Sequence, residues 1–449
     1  MVAAGCACLA VGTAQARAAD VPITVVTGNE VVELGLAGAK GLLVRPELVV
    51  PRPCRMRPCA IEILVYREGP GRGRVAVLGG GYLGLLVSDS TRVPGLVTPA
   101  DLERFDLGSR PARDPLAELE TLDRRLDQIA AVRAPLSGLL VGVVLLLAAA
   151  SALRRSELLG RAALLAAPAA LSTSVALALA GASEPWLTAL AVATAASLGA
   201  LLAAAATRDR RVLALVLLAP FLLYLVVLAG WTHLHTLSAF GPRAEDAGRF
   251  YGIPNRVETL LLVPALLGGA LLGRRALAPV ALLAAATVGL SWTGADGGGL
   301  VVLGAAFVVL AARLTGVAWT PRNIAVAVVG TVAAAVVFVV VDASTGGESH
   351  VTRAVREGPA ELAQHLWHRL DLSLERATSS SHAVVLALIS LGGLAWLASR
   401  RPRTPVRDAL LVALAVSLAV NDSPLDTLGY GVLACTALWS WERLALSTA

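Results

Sequence analysis

The stretch LSGLLVGVVLLLAAASALRR (Leu136–Arg155) decides the fold class of this chain. Its apolar run ends in an arginine pair, and about 20 apolar residues are what a helix needs to cross the hydrocarbon core of a bilayer. Similar runs recur along the 449 residues, whose mean hydropathy is +0.71 and of which 56% are hydrophobic and 16% charged. This composition excludes an ordinary soluble protein and predicts an α-helical polytopic membrane protein.

The runs predict about eleven spans of the length that a bilayer requires. They are Pro135–Leu153, Gly160–Gly181, Pro185–Ala206, Val212–Trp231, Glu258–Leu272, Ala276–Trp292, Gly299–Leu314, Asn323–Val341, Ala383–Ser399, Asp408–Val420 and Leu425–Trp441.

Arginines occupy every second gap between these runs, and acidic residues occupy the others. Because cationic residues are retained on the cytoplasmic side, the alternation predicts the topology of a multi-pass membrane protein. Its N-terminal domain would lie outside and its C-terminus in the cytoplasm. The net charge of +6 and the pI near 9.4 come from these arginines. They predict membrane lipids as partners and argue against nucleic acid.

The predicted domains follow from where the composition changes. Residues 1–19 are a signal-like segment or the remnant of an apolar one, and residues 20–113 are a small extracytoplasmic α/β domain with short Val/Ile/Leu-rich strands. Residues 114–134 form an amphipathic linker helix, because Leu116, Leu119, Leu122, Leu126 and Ile129 recur at helical spacing. Residues 135–441 are the transmembrane domain, and residues 442–449 are a cytoplasmic tail.

Two motifs in the soluble region need interpretation. Cys54 and Cys59 would lie in an oxidising compartment, so a small disulfide loop and a pair of free thiols are equally good predictions. VAVLGGGYLG (Val75–Gly84) contains the glycine pattern of dinucleotide sites. However, a strand-like segment follows it where a dinucleotide site needs a helix, so the sequence argues against a nicotinamide cofactor.

Three polar segments between spans are predicted to share the outer face. They are GPRAEDAGRFYGIPNRVETLL (Gly241–Leu261), TGADGGGLVV (Thr293–Val302) and VNDSPLDTLGYG (Val420–Gly431). Glu258 lies at the membrane interface, where an ionisable group is costly and therefore a functional candidate. Each segment also fits an ordinary solvated loop or a tight turn.

The candidate residues have distinct predicted roles. The catalytic candidates are Asp246, Glu258, Asp296 and Asp422, and the substrate-binding candidates are Arg249, Tyr251, Asn255 and Asn421. A buried carboxylate serves as a general base, and arginine binds a phosphate in a bidentate fashion. The carboxylates together could also hold a divalent cation, although no dedicated metal site is predicted and the cofactor stays unknown. Two histidine pairs, His233 with His235 and His365 with His368, are predicted to lie at the interface. The second pair belongs to Ala360–Leu374, which is predicted to be an interfacial amphipathic helix with Trp367 at headgroup level.

Five short stretches resemble a family of bacterial multi-spanning envelope proteins. They are AKGLLV (Ala39–Val44), SDSTRVPGLVTPADL (Ser88–Leu102), RFYGIPNRVETLL (Arg249–Leu261), GADGGG (Gly294–Gly299) and NDSP (Asn421–Pro424). Fuller members of that family carry an extracytoplasmic domain similar to alkaline phosphatase or phosphoglyceromutase. Here the soluble region is shorter and lacks the Asp/His clusters for two metal ions, so the resemblance implies a degenerate binding or scaffolding domain. The resemblance also implies that the protein lies in the bacterial cytoplasmic (inner) membrane.

Together these features predict a protein of cell-envelope biogenesis. It would act on a lipid-linked or glycan substrate, such as a polyprenyl-phosphate-linked sugar, at the extracytoplasmic face, in the manner of a glycosyltransferase or another transferase. A transporter or lipid flippase is one alternative, and it would need polar groups at mid-membrane depth and broken helices. A non-enzymatic assembly scaffold is the other alternative.

Overall fold

A computed structural model describes residues 23–27, 39–44, 61–67, 72–243, 250–318, 320–344, 367 and 371–445. The predictions for residues 1–19 and for the Cys54–Cys59 disulfide lie outside these residues. The chain divides into two compact units. The sheet unit is Met1–Arg124 with Arg243–Phe250, and the helical unit is Arg125–Pro242 with Tyr251–Ala449.

Within its described residues, the sheet unit contains one mixed sheet of seven strands. They are β1 (Ile23–Thr27), β2 (Ala39–Leu43), β3 (Ile61–Arg67), β4 (Gly73–Gly79), β5 (Gly84–Val87), β6 (Leu96–Val97) and β7 (Gly108–Arg110). The order is β1-β3-β4-β2-β5-β7, and β6 pairs with β2. The β1–β3, β2–β5 and β2–β6 pairs are parallel, whereas the β3–β4, β4–β2 and β5–β7 pairs are antiparallel. The expectation of a small sheet-containing domain before the spans is confirmed.

The core of this unit consists of every second side chain along the paired strands, because these side chains lie on the same face of the sheet. Ile63 pairs with Val77 and Val65 pairs with Val75, so their side chains share one face of the sheet and are all buried. The short helix α1 (Pro99–Arg104) adds Leu102 to the same cluster. A reciprocal cap between Thr98 and Asp101 starts this helix and satisfies two backbone donors.

The predicted linker helix and the predicted first span form a single helix, α2 (Pro115–Arg154). Of the five periodic residues, Leu119, Leu126 and Ile129 are buried as the spacing predicts, whereas Leu116, in the first turn of the helix, is exposed. Within the sheet unit, Asp123 of α2 accepts a hydrogen bond from Arg72 Nε at 2.6 Å. Pro135 does not break the helix, although proline removes one helical donor.

The glycine-rich segment after β4 is a turn between strands. β5 begins at Gly84, so the helix that a dinucleotide site requires is replaced by a strand. Tyr82 in this turn donates a hydrogen bond to the Leu107 carbonyl at 2.9 Å and packs on Phe105. Desolvation by burial raises the pKa of the Tyr82 phenol.

The described part of the helical unit contains eleven further helices. They are α3 (Glu157–Leu179), α4 (Pro185–Thr194), α5 (Ala200–Ala206), α6 (Arg210–Thr236), α7 (Asn255–Leu272), α8 (Leu277–Gly289), α9 (Gly297–Thr315), α10 (Pro321–Ser344), α11 (Ser381–Ser399), α12 (Pro405–Val420) and α13 (Pro424–Ala445). One π-helical turn, Ala195–Gly199, joins α4 to α5 without a break. Residues 371–378 are also helical, whereas the rest of the expected amphipathic helix at 360–374, apart from Trp367, lies outside the described residues.

Eight helices within the described residues are long and apolar enough to cross a membrane, which supports a polytopic membrane protein. They are α2, α3, the α4–α5 pair, α6, α7, α9, α10 and α11. Three further predicted spans are not among the eight. Helices α8 and α12 have 13 and 16 residues, and α13, although 22 residues long, is less apolar.

Polar groups of the helical unit collect at opposite ends of the same helices. Asn421 follows the last residue of α12, while Arg407 lies in its first turn. Asp426 lies in the first turn of α13, while Arg443 lies in its last turn. Between these ends α9 packs on α12, and α13 packs on α3 and α7, through apolar and small side chains. The described ionisable groups of these helices therefore concentrate at their ends.

Two glycine substitutions in the turn and strand test this architecture. Gly84 and Gly81 both have positive φ, but a Cβ on Gly84 would lie 2.2 Å from the Arg110 carbonyl oxygen, whereas a Cβ on Gly81 meets nothing within 4 Å. Both alanine variants carry backbone strain, and only Gly84→Ala also disrupts the β5–β7 pair. We expect Gly84→Ala to destabilise the sheet unit by about 1–3 kcal/mol more than Gly81→Ala. Limited proteolysis of the full-length protein measures this difference, and equal protease sensitivity would contradict it.

Candidate functional site

The loop before α7 is held against the turn before α9. Ile253 N–H donates to the Gly294 carbonyl at 2.9 Å, and a Cβ on Gly252 would lie 2.1 Å from the same oxygen. This close backbone approach requires glycine. It brings the Tyr251–Glu258 stretch next to the Gly294–Gly299 stretch, so two of the three polar segments meet.

The third segment joins them through a buried amide. Asn421 Nδ2 donates to Glu258 Oε2 at 2.9 Å and to Ser417 Oγ at 2.9 Å. Ser417 in turn contacts Thr427 Oγ1 at 3.1 Å, which connects α12 to α13. Only 1% of the surface of Glu258 and 2% of that of Asn421 are exposed, so both polar groups are removed from solvent. A hydrogen bond to a buried carboxylate is stronger than one between neutral groups.

Asp296 belongs to the same group of side chains. It precedes α9 and is 4% exposed. A Cβ on Gly299 would lie 3.1 Å from Asp296 Oδ2 and 3.2 Å from Glu258 Cδ, so both carboxyl groups border the same glycine. A Cβ on Gly298 would lie 2.2 Å from Asn421 Oδ1. We call Glu258, Asp296, Asn421, Ser417 and Thr427 the buried tier.

A second set of side chains lies next to the buried tier and reaches solvent. Asn255 Nδ2 donates to Asp422 Oδ1 at 3.2 Å, and Arg376 Nη1 pairs with Asp422 Oδ2 at 3.0 Å. Arg376 also donates to the Asp422 carbonyl oxygen at 2.7 Å. The side chains of Arg376 and Asp422 are 50% and 42% exposed. Asn255, Asp422 and Arg376 form the exposed tier.

Helix ends set the electrostatics of this region. Helices α7, α9 and α13 all begin here, and their unsatisfied N–H groups carry partial positive charge. Glu258 lies in the first turn of α7, and Asp296 immediately precedes α9. Negative charge is therefore stabilised at this end of the bundle, whether it belongs to these carboxylates or to an anionic group of a ligand.

The description of the site rests on its geometry alone. No protein-family model, curated protein or solved structure matches this chain. The family resemblance of its short sequence stretches therefore stays a prediction, and the roles of the site residues rest on their positions.

Most of the described candidate residues meet in the two tiers. Asn255, Glu258, Asp296, Asn421 and Asp422 do so, and Tyr251 is buried near the start of α7. The other two candidates, Asp246 and Arg249, lie outside the described residues, as do His365 and His368. Within the described part of the chain, no group of three or more His, Cys, Asp or Glu side chains could hold a metal ion.

Three participants were not predicted from the sequence. Ser417 and Thr427 lie inside apolar helices. Helical spacing could have identified Ser417, because it precedes Asn421 by one turn and therefore lies on the same side of α12. Arg376 follows the expected amphipathic helix and carries no local motif. Ser373, from the same segment, donates to the Asn421 carbonyl at 2.8 Å and fixes its backbone.

A cluster of buried cations positions the turn after α6. Arg256 donates to the Phe240 carbonyl at 3.1 Å, and Arg133 donates to the Pro242 carbonyl at 2.7 Å. His235 is fully buried, with Nδ1 3.1 Å from Ser238 Oγ. These guanidinium groups satisfy carbonyls that would otherwise be buried without partners, so their role is to hold the backbone before the site.

The contact between Gly298 and Asn421 gives a specific test of the buried tier. Gly298→Ala forces the Asn421 amide away from Glu258, and a buried polar group that loses its partner costs about 1–3 kcal/mol. We expect a correspondingly lower thermal stability of the full-length protein. Gly429→Ala in α13 is the matched control, because its Cβ meets nothing within 4 Å. If both variants unfold at the same temperature, the tight contact at Gly298 is wrong.

Proposed function

We propose that this chain is an integral membrane protein of cell-envelope biogenesis that acts on a lipid-linked or glycan substrate at the extracytoplasmic face. Its chemistry would be that of a glycosyltransferase or a related transferase. One observation carries the proposal: two buried carboxyl groups, from Glu258 and Asp296, border the same glycine at the N-terminal ends of α7 and α9.

Each part of the two tiers has a chemical use in such a reaction. A carboxylate in a desolvated setting serves as a general base for a substrate hydroxyl. The helix N-termini and the exposed guanidinium of Arg376 favour a substrate phosphate, and a polyprenyl phosphate carries one. Asn255 offers an amide that can bind sugar hydroxyls. We propose Glu258 and Asp296 as the acid–base pair, and Arg376 with Asp422 as the entrance.

The location of the tiers supports action at one membrane face. The described tiers lie at helix ends, whereas transport across a membrane favours polar sites at mid-depth. We infer that all eleven predicted spans cross the membrane, with α8, α12 and α13 included as short or less apolar helices. Under the positive-inside rule, the tiers then face the outside and the arginine-rich ends face the cytoplasm.

Cysteine labelling tests this orientation. Ser379 is exposed near the exposed tier, and Arg154 is exposed at the end of α2. After replacement of the five native cysteines, we expect a membrane-impermeant maleimide to label Ser379→Cys in intact cells. Arg154→Cys should react only after permeabilisation. The reverse labelling would place the tiers on the cytoplasmic side and contradict the proposed site of action.

Charge removal at the buried tier tests the activity. Glu258→Gln retains an acceptor for Asn421 while it removes the carboxylate, and Asp296→Asn removes the carboxylate that precedes α9. We expect each variant to slow the reaction at least about 100-fold, because a general base is lost. The measurement is the level of polyprenyl-phosphate-linked intermediates and of envelope glycans, by mass spectrometry, in a strain whose envelope depends on this chain.

The control is Glu157→Gln, which removes a carboxylate that pairs with Arg161 at 2.8 Å, distant in sequence from both tiers. It should leave the intermediates unchanged. Folded Glu258→Gln and Asp296→Asn proteins with normal glycans would refute the transferase and favour an assembly scaffold. Intermediates that accumulate only in the cytoplasmic leaflet would instead favour a flippase.

A further inference from the structure

Four side chains at the other end of the helical unit form a continuous row. The Arg400 guanidinium lies 4.3 Å from the centre of the Trp396 ring, and the Arg443 guanidinium lies 4.6 Å from that of Trp439. The two tryptophan rings meet edge to face at 5.3 Å. The row therefore runs Arg400, Trp396, Trp439, Arg443, and it joins the C-terminal ends of α11 and α13.

The arginines of this row differ from their neighbours in what they bind. Arg407 pairs with Glu442 at 2.6 Å, and both groups are buried. Arg313 and Arg403 each pair with Asp408 at 2.8 Å. The carboxylates near the row, those of Asp408 and Glu442, are therefore already paired with other arginines. Within the part of the chain that the structure describes, Arg400 and Arg443 have no carboxylate partner, and both are exposed.

Cation–π contact holds the two guanidinium groups in place without neutralising them. An aromatic ring attracts the cation through its quadrupole, so the positive charge stays available to a further partner. Arginine presents a planar fork of donors that matches the oxygens of a phosphate. Two guanidinium groups fixed at the ends of one aromatic pair are therefore prepared to bind an anion.

The setting of the row identifies which anion it meets. Trp396 is 45% exposed at the end of α11, a candidate span, and tryptophan at span ends lies at headgroup level. Val385 and Ile389 precede Trp396 along one stripe of α11 and are 54% and 67% exposed. An acyl chain below the headgroup would cover them.

We propose that this arginine–tryptophan row is a binding site for the phosphate headgroup of an anionic phospholipid. Arg400 and Arg443 each present a guanidinium group to a lipid phosphate at one end of the row, the two rings line the glycerol region, and Val385 with Ile389 contact an acyl chain. The site is independent of the proposed enzymatic function, because Trp439 and Arg443 lie near the opposite end of α13, about 25 Å along that helix from its start.

Lipid binding to the full-length protein in detergent tests the site. We expect native mass spectrometry to show phosphatidylglycerol bound at least about tenfold more tightly than phosphatidylcholine. The double variant Arg400→Gln with Arg443→Gln should lose about tenfold in phosphatidylglycerol affinity. Trp396→Leu with Trp439→Leu should also weaken binding, although it keeps both charges, because the guanidinium groups lose their support.

The matched control is Arg274→Gln with Arg275→Gln. It removes the same charge from an exposed arginine pair that no described aromatic ring covers. Its affinity should change less than about threefold. An equal loss in both arginine double variants would show general surface charge and overturn the site. So would displacement of bound lipid by millimolar inorganic phosphate, or equal binding of both lipids by the unmodified protein.

Discussion

The Asn421 amide is the contact on which the described site depends. A polar group inside an apolar bundle must find a partner, and this single amide serves Glu258 of α7 and Ser417 of α12 together. It fits because Gly298 of α9 leaves space for its oxygen. Three helices are thereby held in one register at the end where α7 and α9 begin. The same contact also positions the exposed tier, because Asp422 directly follows Asn421 in the chain.

Much of the fold follows from the sequence for simple physical reasons. Long apolar runs must become helices in a bilayer, since no other local structure satisfies their backbone groups. Short Val/Ile/Leu segments bounded by glycine or proline became β1 to β5, because alternation and turn residues act locally. The sequence could not predict that the linker and the first span form one continuous helix, α2. Pro135 ordinarily marks the end of a helix, and only packing decides that the helix continues through it. The number of spans depends on α8, α12 and α13, whose length or composition is marginal.

The site was predicted in part. Glu258, Asp296 and Asn421 could be grouped from the sequence, because polar segments in alternate gaps between spans lie at the same membrane face. Their depth was not predictable, since burial depends on how closely α9 approaches α12, and glycine spacing does not reveal that distance. Arg376 was missed because its partner, Asp422, is distant in sequence. Arg256 and Arg133 are buried and bind backbone carbonyls, which no local sequence pattern indicates.

The glycines of α9 limit which residues of the site can change between related sequences. Gly298 and Gly299 each leave less than 3 Å between an added carbon and a neighbour, so the floor of the site tolerates no new atoms without rearrangement. The exposed tier is under no such restriction, since Arg376 and Asp422 are about half exposed. Related chains would therefore keep an unchanged floor and acquire new ligand preferences by exchanging side chains at the rim.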